Sequence, residues 1–192
     1  MFKPIAWEQR KVSDIADVIG GGTPDTNNSE YWDGEINWYA PAEINDQIYV
    51  SSSERKITPL GFKNSSAKML PANRTVLFTS RAGIGKSAIL TDEACTNQGF
   101  QSLVLKEDVD TYFVYSMTSE LKSKAESIAS GSTFAEISGK ALSSIEIDVP
   151  SIAEQKSIGK LFKDVDSLIA LHQRECEKLK NVKKSLLEKM FV

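Results

Sequence analysis

At 192 residues the chain has room for one globular domain with an appendage, and its 41% apolar content is ordinary for a soluble protein. No apolar run approaches the roughly 20 residues that span a bilayer, and Met1-Phe2-Lys3-Pro4 starts no signal peptide, so we expect a cytoplasmic protein with no membrane partner. A net charge of −3 argues at first against nucleic acid as a partner.

Short apolar or alternating runs, bounded by turn residues, predict strands through most of the chain. The predicted strands are residues 35–40, 47–50, 75–79, 86–90, 102–105 and 145–149. The pair 75–79 and 86–90 reads as a hairpin across the loop 80–85.

Two helices are predicted among these strands. Apolar residues at positions 12, 15, 16 and 19 predict a short helix over residues 7–19, which Gly20-Gly21-Gly22 ends. A second helix begins at Asp110, a suitable N-cap, and ends before Gly131, where a loop over residues 130–134 follows. Residues 1–150 are therefore predicted to form an α+β domain of short strands.

Residues 151–192 predict one long helix. Ser151 and Glu154 have the spacing of a capping box, and beyond them apolar residues recur at heptad positions a and d over five heptads, which favours a coiled coil. A rod of roughly 57 Å is too long for a 150-residue domain to cover, so we expect it to pair with a partner. The predicted dimerisation seam is Ile158, Leu161, Val165, Leu168, His172, Leu179, Val182 and Leu186, with His172 as a polar notch that sets register.

The sequence predicts no metal site. His172 is the single histidine, and the two cysteines, Cys95 and Cys176, lie far apart in unlike contexts. We expect both thiols to be reduced and buried or half-buried.

The distribution of charge along the chain, unlike the net charge, is compatible with a nucleic-acid partner. Residues 1–54 carry a net charge of −7, whereas residues 55–86 carry seven basic side chains and no acidic one. Such a stretch predicts a local positive field that the total charge hides, and its alternative is a set of solvated surface lysines.

Two short patterns in the sequence imitate catalytic motifs. Gly85-Lys86-Ser87 imitates the end of a phosphate-binding P-loop, but Ser80 stands where the first glycine is needed and a strand follows instead of a helix, so we exclude nucleotide hydrolysis. Asp25, Glu54 and Lys56 imitate a Mg²⁺-dependent nuclease, although a polar turn is a poor support for metal ligands. That alternative predicts DNA cleavage that needs no other protein and is lost in Glu54→Ala.

Candidate DNA-binding residues lie in and around the carboxylate-free stretch. Arg81 and Lys86 flank a glycine-bearing loop whose backbone can approach a phosphate, and an arginine can fork onto guanine O6 and N7. The predicted set is Arg81, Lys86, Gly83, Gly85, Arg74, Lys68, Lys63, Thr23 and Asn97. Taken singly, each of these residues also fits ordinary turn or surface chemistry.

Several motifs together resemble a known family, the type I restriction–modification specificity subunits (HsdS). They span the chain from about Trp7 to Phe191. The motifs are Gly21-Gly22-Thr23-Pro24 with residues 31–38, Ser80 to Lys86, Asn97-Gln98-Gly99-Phe100, Ser130 to Phe134, Val149-Pro150 with Glu154-Gln155, and Leu179-Lys180 with Lys183 to Leu187.

The resemblance implies a target-recognition domain that reads half of a bipartite DNA site and a helix that spaces it from its twin. Family members usually carry two such domains and two such helices, whereas this chain carries one of each. It therefore resembles a half subunit that pairs with a copy of itself and reads a palindromic site. The family implies an antiparallel helix pair, while the heptads alone leave the orientation open.

The resemblance also implies the partners. These are double-stranded DNA, a methyltransferase (M) subunit that brings S-adenosylmethionine, and an ATP- and Mg²⁺-dependent restriction (R) subunit where one is present. The chain itself would be non-catalytic and would hold no cofactor. A third interpretation is a truncated specificity fragment whose helix only self-associates.

Overall fold

The computed structural model describes residues 7–129 and 135–191, and it forms a mixed α/β domain from which one long helix projects. In chain order the elements are β1 (Glu8–Lys11), α1 (Val12–Ile15), β2 (Ala16–Gly20), β3 (Trp32–Tyr39), β4 (Tyr49–Val50), β5 (Lys56–Ile57), α2 (Pro59–Lys63), β6 (Thr75–Phe78), β7 (Ser87–Leu90), β8 (Ala94–Thr96), β9 (Gln101–Leu105), α3 (Thr111–Ser116), α4 (Thr118–Ile128), α5 (Gly139–Ser143), β10 (Glu146–Val149) and α6 (Ile152–Met190). The predicted fold class, an α+β domain followed by a long helix, is confirmed.

The central sheet has five strands in the order β2-β9-β6-β7-β4, antiparallel except for the parallel pair β4–β7. Side chains alternate between its two faces, as the pleat requires. Val76 and Phe78 of β6 enter a core shared with the helices, whereas Leu77 enters a second core on the other face. A three-stranded sheet, β5-β3-β8, packs a smaller cluster around Trp32 and Trp38.

The predicted helix over residues 7–19 is wrong. The segment is two strands joined by the single turn α1: β1 pairs antiparallel with β10, and β2 pairs antiparallel with β9. Three of the four apolar positions that suggested a helix are buried, namely Val12 and Ile15 in α1 and Ala16 at the start of β2. The fourth, Ile19, is half-buried in β2. Distant strand partners therefore decided the conformation, which a local spacing cannot reveal.

The predicted strands exist, with changed lengths. The segment 35–40 belongs to the longer β3, and 47–50 shrinks to the two residues of β4. The hairpin β6–β7 and the strands β9 and β10 are confirmed. Between β5 and β6 the chain forms the helix α2, which Thr58 caps by accepting a hydrogen bond from the Gly61 amide.

The helix predicted from Asp110 is divided in two. Asp110 is its N-cap, as predicted, and accepts a 2.9 Å hydrogen bond from the Phe113 amide. At Met117, with φ −93° and ψ 2°, the chain breaks between α3 and α4. Gly131 and the predicted loop 130–134 lie outside the described residues.

The two cysteines differ in environment. Cys95 in β8 is buried, and this burial raises the pKa of its thiol to about 12. Cys176 is exposed on α6, so the prediction of a buried or half-buried thiol is wrong for it. Both thiols are free, as predicted.

The helix α6 runs for 39 residues, about 58 Å, and begins one residue after its predicted cap. The Ser151 hydroxyl accepts from the Glu154 amide at 3.4 Å. The structure shows only this half of the predicted capping box, and Glu154 Oε1 accepts a hydrogen bond from Trp7 Nε1 at 3.2 Å. No described helix, α6 included, combines the length and the apolarity that crossing a membrane would require.

The first half of α6 is fastened to α3 by specific polar contacts. Gln155, 2% exposed, accepts from the Asp110 amide at 3.1 Å and donates to the Pro150 carbonyl at 2.9 Å. One turn on, Gly159 lies against Asp110, and Tyr112 donates from its hydroxyl to Asp166 Oδ2 at 2.7 Å. Residues 167–191 are all exposed. The helix therefore leaves the domain with its direction set by this contact.

Candidate nucleic-acid interface

Loops from distant parts of the chain meet at one end of the central sheet. Strands β2 and β6 end there, and β7 and β9 begin there, because these strands pair antiparallel. The Ser80 amide donates to the Gly99 carbonyl at 2.8 Å, and the Gly22 amide donates to the Thr96 carbonyl at 2.8 Å. We call residues 20–23, 79–86 and 96–100 the loop edge.

The glycines of the first loop allow it to lie directly on the third. A Cβ atom on Gly21 would stand 2.0 Å from the Asn97 carbonyl oxygen, and one on Gly22 would stand 2.3 Å from Ser66 Oγ. This close approach holds Thr23 beside the third loop, where its hydroxyl donates to Gln98 Oε1. The structure thus brings Thr23 and Asn97 together, as two of the predicted DNA-binding residues.

The contact at Ser66 places Lys63 and Lys68 near the same loops. Lys63 lies in the last turn of α2, and Lys68 is exposed in the segment that follows. Asn97 uses its side-chain oxygen in its own turn, accepting from the Gly99 amide at 2.8 Å. Its side-chain NH₂ donors are not used in that turn bond.

Thr79 shapes the loop that carries Arg81 and Lys86. Its hydroxyl donates to the Gly83 carbonyl at 2.6 Å and accepts from the Lys86 amide at 2.9 Å. Between them the backbone takes left-handed conformations, with φ 54° at Ala82, 99° at Gly83 and 85° at Gly85. The loop is therefore held in one shape by a buried side chain.

We expect Thr79→Val to lower the free energy of unfolding by about 2 kcal/mol, because the buried Thr79 hydroxyl makes two hydrogen bonds that valine cannot make, one to the Gly83 carbonyl and one from the Lys86 amide. Thr75→Val is the matched control: Thr75 is equally buried but makes one side-chain bond, to the Pro71 carbonyl, so its loss should be near 1 kcal/mol. Urea unfolding of both variants measures this difference. Equal losses would contradict the role assigned to Thr79.

The two loop glycines have different roles. A Cβ atom on Gly83 would meet only Lys86 Cε, at 3.6 Å, so this part of the backbone is open to a ligand. A Cβ atom on Gly85 would stand 2.5 Å from Lys122 Cβ of α4. Gly85 was predicted to admit a phosphate, but its α-carbon faces the protein and serves packing against α4.

Two carboxylates from later in the chain lie near Arg81, although residues 55–86 contain no acidic residue themselves. Arg81 and Gly83 line a cavity of about 590 Å³ together with Glu126 and Glu136. The local positive field predicted from residues 55–86 is therefore weakened at the loop edge by acidic side chains from elsewhere in the chain.

Two of the seven basic residues in that stretch serve the fold. The Arg74 guanidinium donates to the Leu105 carbonyl at 2.9 and 3.3 Å, at the end of β6 opposite to the loop edge. The Arg55 guanidinium lies 3.6 Å from the ring centroid of Trp32. The structure thus does not bring Arg74 together with the other predicted DNA-binding residues.

Sequence reasoning missed two buried hydroxyl groups, one in the loop edge and one next to it. Ser80 Oγ and Tyr39 Oη are buried and have no hydrogen-bond partner among the described residues. Burial, reinforced by the negative charges of Glu43 and Asp92, raises the pKa of Tyr39 to about 12, so its hydroxyl keeps its proton. The sequence pattern of a strand does not show which of its hydroxyl groups will be buried without a hydrogen-bond partner, because that depends on the packing of other segments.

The residues of the nuclease alternative have local structural roles. Asp25 Oδ1 accepts from the Asn27 amide in its own turn, Lys56 lies in β5, and the Glu54 amide donates to Glu43 Oε2. Among residues 7–129 and 135–191 there is no group of three or more His, Cys, Asp or Glu side chains that could hold a metal ion.

The predicted seam on α6 is exposed, with one exception. Leu161, Leu168 and Leu179 are 60%, 55% and 68% exposed. Ile158 is half-buried against the main core of the domain, so it is committed to the domain and not to a seam. His172 Nδ1 lies 3.1 Å from Glu175 Oε2 of the same helix.

The exposed end of α6 leaves the domain near the loop edge. The helix begins beside Asp110, which follows the end of β9 that is opposite to the loop edge. Later in the same helix, Asp166 and Arg174 line a cavity together with Asp46 and Gln47. These last two residues precede β4, which runs parallel to β7 and begins at the same end of the sheet. The loop edge and the projecting seam therefore lie toward the same end of the domain.

Known proteins of one family match this chain along most of its length. The family described as the type I restriction modification DNA specificity domain matches residues 4–181. The MjaIX specificity subunit of Methanocaldococcus jannaschii is 36% identical over 98% of this chain and 44% of its own length. The EcoR124I/EcoR124II specificity subunit of Escherichia coli is 31% identical over 87% of this chain and 43% of its own length.

Solved structures share the fold. A chain of a type I restriction–modification system superposes with a TM-score of 0.72 at 17% identity, over 91% of this chain and 42% of that one. The HsdS subunit of Thermoanaerobacter tengcongensis gives 0.68 at 17% identity, over 91% and 40%. The chain belongs to the type I restriction–modification DNA specificity family, and it spans less than half the length of these relatives.

Proposed function

We propose that this chain is the DNA-recognition component of a type I restriction–modification complex. Its loop edge would read one half of a bipartite site, and its helix would space that edge from a second one. The observation that carries the proposal is the convergence of Thr23, Asn97, Arg81 and Lys86 at one end of the sheet, in a chain of the DNA specificity family.

The geometry suggests how the edge would contact DNA. Lys63, Lys68 and Lys86 carry mobile point charges suited to phosphates, and these contacts position a protein without reading sequence. Arg81 and the amide of Asn97 carry the planar donors that discriminate bases in the major groove. The open backbone at Gly83 admits close approach between them.

Two copies joined through the exposed seam of α6 would present two loop edges. A symmetric pair of identical edges requires a palindromic bipartite target, because the symmetry of the protein must match that of the DNA. The supporting observation is the row of exposed apolar side chains that begins at Leu161 and ends at Leu186. Water-exposed leucines at this spacing favour a helical partner.

Catalysis would belong to other chains. A methyltransferase subunit would bring S-adenosylmethionine, and a restriction subunit, where present, would bring ATP- and Mg²⁺-dependent cleavage. The carboxylates near Arg81 suggest modest DNA affinity for the isolated chain, so the DNA grip would be shared with the methyltransferase.

Arg81→Ala combined with Lys86→Ala tests this proposal. We expect site-specific methylation by the complex with a type I methyltransferase subunit to fall about thirtyfold or more, because two contacts are lost and each is worth about 1–3 kcal/mol. Methylation mapped by sequencing over a genome is the measurement, since it reports both rate and target. Thermal unfolding of the variant confirms that the fold persists.

Arg74→Ala is the control for position, because it removes one positive charge at the opposite end of β6. Its methylation should stay near the wild-type rate. An unchanged rate and an unchanged target in the Arg81 and Lys86 variant would show that the loop is only structural, and the loop edge would lose its assigned role.

A further inference from the structure

The seam of α6 contains one polar interruption, and the interruption is symmetric. Heptad positions a and d are apolar at Leu161, Val165 and Leu168, then polar at His172 and Glu175, then apolar again at three positions. These are Leu179, Val182 and Leu186. All eight side chains are exposed in the single chain. Three apolar layers thus stand on each side of a polar centre.

A parallel pairing of two copies in register conflicts with this centre. It would set Glu175 against Glu175 of the second copy and His172 against His172, because equivalent positions face each other. Two carboxylates facing each other inside an apolar seam repel strongly and lack partners. An antiparallel pairing instead places a positions opposite d positions and can join unlike groups.

Only one antiparallel register matches every layer of the seam from Leu161 to Leu186. When His172 faces Glu175 of the second copy, Leu161 faces Leu186, Val165 faces Val182, and Leu168 faces Leu179. A shift of one heptad sets Val165 against Glu175 and Leu168 against His172. The matched register therefore has no polar group against an apolar one within these layers.

The family already implies the antiparallel orientation. We propose that two copies of α6 in that orientation adopt this one register, locked at the centre by His172 and Glu175 of each copy. The proposal rests on the proposed function, in which the helix pairs with a second copy. The contact of His172 Nδ1 with Glu175 Oε2 at 3.1 Å already holds the two side chains together in one chain. In the pair, the four side chains form one closed polar cluster around the two-fold axis.

The end of the seam fits the same register. Ile158 would face Lys189 of the second copy, and its side chain is half-buried against the core of its own domain. It therefore needs no apolar partner from the second helix. On the flank of the seam, Ile169 would lie beside Cys176 of the second copy, which adds an apolar contact on each side of the cluster. Asp166, bound to Tyr112, fixes the rotation of the helix that presents these residues.

Cysteine crosslinking tests the register in the full chain with Cys176→Ser as background, since the remaining Cys95 is buried. Leu168→Cys with Leu179→Cys should give covalent dimers under mild oxidation, because the proposed register places these positions face to face. Leu168→Cys alone should give none, since its sulfurs would stand about 16 Å apart along the helix axis. Leu161→Cys with Leu179→Cys reports the register shifted by one heptad.

Each result decides the proposal. Crosslinking of the 168 and 179 pair alone supports it. Crosslinking of Leu168→Cys alone shows a parallel pair, and crosslinking of the 161 and 179 pair shows the shifted register; either overturns it. A chain that is dimeric by light scattering but not crosslinked at 168 and 179 overturns the register while leaving the pairing intact. A monomeric chain overturns both the register and the pairing.

A charge exchange gives an independent test. His172→Glu with Glu175→Lys creates opposite-charge layers in the proposed register and like-charge layers in a parallel pair. We expect the double variant to dimerise at least as tightly as the wild type. His172→Glu alone should raise the dissociation constant of the dimer about tenfold. A double variant weaker than the single one would overturn the proposal. The proposed DNA role is tested separately, by the variant of Arg81 and Lys86. A failure of the helix register can therefore be told apart from a failure of the proposed function.

Discussion

Leu168→Glu is expected to halve the solution mass of the chain, from twice 21.2 kDa to 21.2 kDa. Leu168 lies in an apolar layer of the seam and is 55% exposed in a single copy. A carboxylate there leaves the folded monomer unharmed, but pairing would bury two unpaired charges, which costs several kcal/mol. Light scattering over a concentration series measures the effect.

Ser167→Glu is the matched control, because it adds the same charge at the neighbouring exposed position outside the seam. This variant should keep the wild-type mass. In the complex with a methyltransferase, Leu168→Glu should also abolish methylation of the bipartite site, since one loop edge reads only half of it. A Leu168→Glu variant that remains dimeric would remove the seam as the pairing surface.

Gly159→Ala is expected to destabilise the protein by about 2–3 kcal/mol, although alanine is the better helix former by roughly 1 kcal/mol. The sign reverses because the added methyl group would stand 2.3 Å from Asp110 Oδ1 and 3.0 Å from the Phe113 amide nitrogen. That carboxylate caps α3, so the conflict breaks the cap or lifts α6 from the domain. Urea unfolding gives the change in free energy.

Ser157→Ala serves as the control for helix propensity on the same helix. Ser157 is exposed and its hydroxyl bonds only to the Ala153 carbonyl, one turn back, so its replacement should be neutral or slightly stabilising. If Gly159→Ala is as stable as the wild type, the close packing of α6 on α3 is not what sets the direction of the helix.

Prediction from the sequence succeeded where a segment carries its own signal. The strand around Val76 is apolar on both faces because the sheet is covered on both sides, and such runs are recognisable without knowledge of neighbours. The caps at Asp110 and Ser151 were found because a side chain bonding an amide three residues on is a local event. The long helix followed from five heptads in succession.

Prediction from the sequence failed where a segment distant in sequence sets the local conformation or contact. The spacing at Val12, Ile15 and Ala16 fits a helix, but β9 and β10 are available as partners and the chain pairs with them. Glu154 has the spacing of a capping box, yet Trp7, 147 residues away, takes its carboxylate. Gly85 has the flexibility that a phosphate loop needs, and Lys122 fills the space beside it.

Local sequence is sufficient to predict the elements that are stabilised within one segment: the apolar strands, the capped helices, and the seam with its polar centre. These depend on period and on contacts three or four residues apart, which any reader of the chain can count. The packing of the whole fold is needed to see which loops share an edge, that Arg74 lies at the opposite end from Arg81, and that Ile158 packs against the domain. Those outcomes depend on strand order and on packing between remote residues, and no local pattern encodes either of them.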